Sequence, residues 1–112
     1  MHIWEKKFNG IHTKIADAKL NLGVSYREQN RFDEAIQMLL EAKDMYITIH
    51  KDKMHSSLAN VYSALGKTYA MNENIEAAYD YYQNALSIRR KFFDEEHQKI
   101  KIIKERIEEL KK

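Results

Sequence analysis

The chain carries five histidines and 17 acidic residues, a supply large enough to invite a search for metal and acid–base sites. Glu95-Glu96-His97 is the local cluster whose residue types suit a metal ion. It lies within a single turn and lacks the i, i+4 pairing that sets two ligands side by side on a zinc-binding helix. His12, His55 and His97 recur at nearly equal intervals, a pattern that suits three equivalent helix entries better than one shared site. Tyr79, Tyr81 and Tyr82 stand close together. A base-stacking platform would need a basic stripe beside them, and there is none. Tyr82 is expected in the core, with Tyr79 and Tyr81 packed between repeating units. No phosphate loop, nucleophile elbow or carboxylate pair stands out. The chain is therefore not expected to be an enzyme, and no metal or cofactor is expected.

The bulk properties narrow the class further. A length of 112 residues suits one domain with a modest core. There is no proline and there are three glycines, which favours helix and leaves little for sheet turns. The net charge of +2 predicts neither nucleic-acid binding nor a polybasic membrane patch. No apolar run approaches the roughly 20 residues of a spanning helix, and the N-terminus has no apolar stretch of signal-peptide length. Cysteine is absent, which excludes disulfides and thiolate metal sites. A cytoplasmic location is the default expectation.

The elements that position these residues are set by an internal repeat. A shift of about 43 residues carries His12 onto His55, Ala16 onto Ala59, Leu22-Gly23 onto Leu65-Gly66, Tyr26 onto Tyr69, Ala35 onto Ala78 and Ala42 onto Ala85. A period of this size marks a stacked array, whose faces hold other molecules. Residues 1–10 read as a helical stub ended by Asn9-Gly10, because glycine readily takes the geometry of a helix end. The first repeat spans 11–50. Its first helix runs to about Gln29 with Ile15, Leu22 and Tyr26 on its apolar side; the second starts near Asp33, the candidate N-cap. That second helix should bury Ala35, Leu39, Ala42, Met45 and Ile49. The second repeat spans 54–93, with Ser56 and Ser57 as caps of its first helix and Asn72-Glu73-Asn74 as its turn. Asp94-Glu95-Glu96 would open a last helix, within 95–112, that carries Ile100, Ile103, Ile107 and Leu110 on one side and charge on the other, as a capping helix does. The stub reads as the tail of a helix whose beginning is missing, so the chain is expected to be a piece of a longer array.

Lys19-x-x-Leu22-Gly23-x-x-Tyr26 followed by Ala35-x-x-x-Leu39 and Ala42 resembles the tetratricopeptide repeat, and so does Tyr62-x-x-Leu65-Gly66-x-x-Tyr69 followed by Ala78-x-x-x-Tyr82 and Ala85. The small residues let paired helices approach; Leu39, Tyr82 and the two signature tyrosines fill the space beside them. Lys19 departs from the large apolar residue of the pattern, and the closing proline is missing. The long period, with Ala85-Leu86-x-Ile88-Arg89-Arg90-Lys91 before His97, is similar to the kinesin light chain type of repeat. The resemblance implies an all-α, right-handed α-solenoid of about two helix-turn-helix repeats, flanked by the stub and the capping helix.

It also implies a function. In such arrays the first helices line a concave groove that takes a peptide or protein segment. Asp17, Leu20, Asn21, Val24 and Glu28 share one face by their spacing, matched by Asn60, Ser63, Ala64, Lys67 and Met71 in the second repeat, with Arg27 beside them. In long-repeat members an asparagine before the Leu-Gly pair bonds the backbone of an extended peptide, and Asn21 holds that place. An amide supplies donor and acceptor together. Lys67 and Arg27 are nearly balanced by Asp17 and Glu28. The basic clamp for a C-terminal carboxylate is not evident, since Leu20 and Val24 stand where it needs polar groups. Two rival readings accompany this scaffold. One is a homodimer formed through Ile3, Trp4 and Phe8 at one end and the final helix at the other, because repeat stacks need about three units for stability. The other is a peptide-sensing regulatory domain of a longer protein. No nucleic-acid or membrane partner is expected.

Overall fold

The computed structural model describes residues 2–52 and 54–111, with side chains from His12 onward. Five helices, and no strands, occur among the described residues: α1 (His2–Glu28), α2 (Phe32–His50), α3 (Ser56–Met71), α4 (Ile75–Phe92) and α5 (Gln98–Leu110). They form two compact units, Met1–Lys53 and Met54–Lys112. No helix among the described residues is long and apolar enough to cross a membrane.

The first unit is the hairpin of α1 and α2. Asn9-Gly10 does not end a helix: α1 runs unbroken from His2 to Glu28, so the expected stub is its first part and His12 lies in its interior. A lone glycine costs a helix only about 1 kcal/mol, and no proline follows to break it. The turn at its far end is tight. Asn30 takes the left-handed conformation at φ 64°, and the Arg31 amide donates back to the Tyr26 carbonyl at 2.9 Å. Arg31, not Asp33, is the N-cap of α2, and it offers no side-chain cap. Its guanidinium instead grips Glu34, with Nε 2.8 Å from Oε1, and lies 4.6 Å from the centre of the Tyr26 ring. Asp33 and Glu34 sit in the first turn, where acidic side chains suit the positive end of the helix dipole.

On α2 the buried residues are Ala35, Leu39, Ala42 and Tyr46. Tyr46 takes the place expected of Met45. Its ring extends the i, i+4 row of Ala42, and its hydroxyl reaches back to the carboxylate of Asp17. Lys19 also bridges the hairpin, with Nζ 2.7 Å from Glu41 Oε1. Its chain lies along the seam while the ammonium meets a carboxylate, which is how a lysine occupies an apolar position. Ile15 and Leu22, expected on the apolar side, stay 41% and 46% exposed.

The second unit repeats the hairpin and adds a helix. Glu73 is left-handed at φ 63°, and the Asn74 amide donates to the Tyr69 carbonyl at 2.8 Å. The Asn74 side chain caps α4 by accepting from the Ala77 amide at 3.2 Å. The caps of α3 and α5 are histidines rather than the expected serines and acids. His55 Nδ1 accepts from the Ser57 amide and His97 Nδ1 from the Lys99 amide, both at 3.1 Å. Both residues hold extended backbone, which aims the ring at the orphan donors of the first turn. Asp94-Glu95-Glu96 remain in the connector before α5.

Packing in this unit is tyrosine-rich. Tyr81 stacks on Tyr62 and Tyr69 at centroid distances of 5.9 and 5.5 Å, so it joins α3 to α4 within one repeat, not repeat to repeat as expected. Tyr79 is exposed. Ile100, Ile103 and Ile107 of α5 are buried with Ala78, Tyr82, Ala85 and Leu86 of α4. Lys101 and Lys104, elsewhere on α5, reach Glu96 and Glu95 of the connector.

Candidate binding faces

A binding face on a helical hairpin is what its own packing leaves uncovered. On α1 that is a mixed set. Asn21 and Glu28 are exposed, and Leu20 and Val24 are half-buried. Asp17 is exposed but accepts the Tyr46 hydroxyl, which fixes its carboxylate toward α2. Arg27 is only 7% exposed. Its Nη2 bonds Glu28 Oε1 at 2.8 Å, while its Nε has no hydrogen-bond partner among the described residues.

On α3, Asn60 and Met71 are exposed, Ser63 and Lys67 half-buried, and Ala64 buried. Asn60 has company that its spacing does not reveal. Its Oδ1 accepts from Arg89 Nη2 of α4 at 3.2 Å. This pair borders a cleft of about 320 Å³ lined by Ser56, Ser57, Ala59, Asn60, Ile88, Arg89, Phe92, Phe93 and Lys99. Arg89, Phe92 and Lys99 were not among the candidate residues. The visible signal was the basic run Arg89-Arg90-Lys91 with Lys99 shortly after it. Burial pushes the Arg89 guanidinium down from its ordinary value, and the charge of Arg106 acts in the same direction.

The Glu95-Glu96-His97 cluster is occupied by structure. Glu95 meets Arg90 at 2.7 Å and Lys104 at 2.5 Å, and Glu96 meets Lys101 at 3.3 Å. The His97 ring caps α5 and stacks 4.0 Å from the centre of the Phe93 ring. The self-association candidates Ile3, Trp4 and Phe8 have side chains outside the described residues.

Two features identify the architecture. Gly23 lies against Leu39, and one period later Gly66 lies against Tyr82, each pair too close to admit a further carbon. Each hairpin also closes through a left-handed residue and a bond to a tyrosine carbonyl, Tyr26 or Tyr69. No curated protein matches the chain. The family described as Tetratricopeptide repeat matches residues 15–53 and 58–99, which is most of the chain and takes in the second half of α1, all of α2 and nearly all of α3 and α4. The chain belongs to the tetratricopeptide repeat family.

Proposed function

We propose that the chain binds a peptide or protein segment, the uncovered face of α1 and that of α3 each offering contacts. Tetratricopeptide repeats are in general protein–protein interaction modules, and this is a non-catalytic fold. The observation that carries the reading is the amide at Asn21. It is exposed on a helix, where asparagine is disfavoured, and half-buried Leu20 and Val24 flank it with apolar surface. On α1, binding combines hydrogen bonds from Asn21 with apolar contact at Leu20 and Val24; on α3, Asn60 and Met71 offer the same two kinds of contact. Asp17, Arg27 and Glu28 serve differently from the rest, since the first is tied to Tyr46, the second is buried and the third bonds Arg27. A peptide-library selection on the whole chain, repeated with Asn21→Ala, tests this. The selected peptides should bind the variant about tenfold more weakly, the loss of one or two buried hydrogen bonds, with helicity unchanged. Equal binding by both proteins removes Asn21 from the site.

A second reading, association through α1, is favoured by the exposure of Ile15 and Leu22. Their counterparts in the second repeat, Leu58 and Leu65, are both fully buried. Light scattering over a concentration series measures the mass. A dimer that dissociates in Leu22→Gln supports this reading, and a monomer at every concentration ends it.

A further inference from the structure

The cleft bordered by the start of α3, the end of α4 and the start of α5 carries positive charge that its own walls do not neutralise. Arg89 and Lys99 line it, and no acidic residue does. Arg89 bonds the neutral amide oxygen of Asn60. Neither Arg89, Lys99 nor the neighbouring Arg106 makes an ion pair among the described residues. Of the three acids of the connector, Glu95 and Glu96 are held by Arg90, Lys101 and Lys104, and Asp94 accepts from the Glu96 amide; none of them lines the cleft. Burial and the charge of Arg106 both work against the charge on Arg89, and a bound anion would offset them by favouring the charged form. The lining is otherwise apolar or hydroxylic. Ile88 and Ala59 are nearly fully buried, Phe92 stands 54% exposed, and Ser56 and Ser57 add hydroxyls.

These properties define a ligand. The cleft, at about 320 Å³, is at the small end for binding sites and suits a side chain or two. A guanidinium fork that now meets one neutral oxygen pairs better with the two oxygens of an anion. The exposed ring of Phe92 offers contact to an apolar group next to that anion. We propose that this cleft receives an oxyanion group, carboxylate or phosphoryl, carried on a peptide with an apolar side chain beside it. The proposal rests on the peptide-binding reading above and deepens it by giving the partner a chemistry.

The test is a titration of the isotope-labelled whole chain, followed by NMR, with three probes. They are N-acetyl-phenylalanyl-glutamate amide, the same dipeptide with phosphoserine in place of glutamate, and the same with glutamine. The anionic probes should move the signals of Ser57, Asn60, Lys99 and the Arg89 side chain. The glutamine probe should bind about tenfold more weakly, as fits a charge-assisted bond replaced by a neutral one. Whichever anionic probe binds more tightly identifies the source of the oxyanion. Arg89→Gln should weaken that probe by about tenfold. Lys99→Gln, an exposed substitution that keeps the thermal midpoint, should weaken it by about threefold and reduce the salt dependence. Equal binding of the glutamine probe, shifts confined to other residues, no shifts with any probe, or full binding by both variants would each overturn the proposal. Peptides captured through Asn21 while the charged probes leave the cleft silent would overturn this inference alone. Charged probes that bind the cleft while Asn21→Ala changes nothing would overturn only the Asn21 assignment.

Discussion

Gly66 of α3 lies against the ring of Tyr82 of α4 so closely that a Cβ at residue 66 would sit 2.6 Å from the tyrosine Cδ1. The same relation holds one period earlier, where a Cβ at Gly23 would meet Leu39 Cγ at 2.6 Å. Both partners are buried, so neither can swing aside into solvent. Overpacking at such a site costs about 1–3 kcal/mol, against the roughly 0.5–1 kcal/mol that alanine gains over glycine in a helix. Gly66→Ala is therefore expected to destabilise the chain, as read from a lower urea midpoint, and Tyr82→Leu in the same chain should recover part of the loss. A Gly66→Ala variant as stable as the parent would show that the ring has room to move.

Tyr46 and Asp17 couple the two helices of the first hairpin. The hydroxyl donates to the carboxylate, and burial together with that bond raises the phenol above its ordinary value. Tyr46→Phe keeps the packing and removes the bond, for an expected cost of about 0.5–1.5 kcal/mol. The Asp17→Ala, Tyr46→Phe double-mutant cycle should show non-additivity, because removing either partner already breaks the contact. Additive effects would mean that the bond contributes nothing to stability.

Glu95 gives the chain an acid-sensitive contact. Hydrogen bonding to Lys104, then to Arg90, holds its carboxyl below the usual carboxylate range in the folded protein. The native state therefore binds a proton less readily than the unfolded chain. Stability from this group is present at neutral pH and is lost as the pH falls through its folded-state value. The group is exposed, so solvent screens the effect and keeps it small. Glu95→Gln should flatten the decline in thermal midpoint between neutral and acid pH. Parallel declines for parent and variant would assign the acid sensitivity to other carboxylates.

What could be read from the sequence was whatever depends on spacing alone. The Gly23 and Gly66 contacts, the turns after Tyr26 and Tyr69 and the isoleucine row of α5 all repeat at fixed intervals, and helical geometry turns those intervals into faces. The misses came where two groups compete for one place. Met45 and Tyr46 are adjacent and both apolar enough for the core; the choice fell to Tyr46, whose hydroxyl has Asp17 to reach. Serines at the start of α3 satisfy the capping rule, yet the histidine before them holds the backbone angles that let its ring do the work. Exposure at Ile15 and Leu22 follows from what covers a face, which a pattern within one helix does not contain. Of the candidate binding residues, spacing reached Asn60 but not its partner Arg89, which comes from another helix.

Within each unit, every helix packs against a neighbour in the chain: α1 on α2, α3 on α4, α4 on α5. Loops of a few residues join them, so little chain entropy is lost before contacts form. Domains built from such local pairings fold on the microsecond-to-millisecond scale, far faster than sheets that must bring distant strands together. The left-handed residues at Asn30 and Glu73 sit at the two reversals, where a non-glycine residue carries backbone strain that the hairpin contacts must offset. Glu73→Gly, which enters that conformation without the strain a glutamate bears, would make the second reversal easier to form.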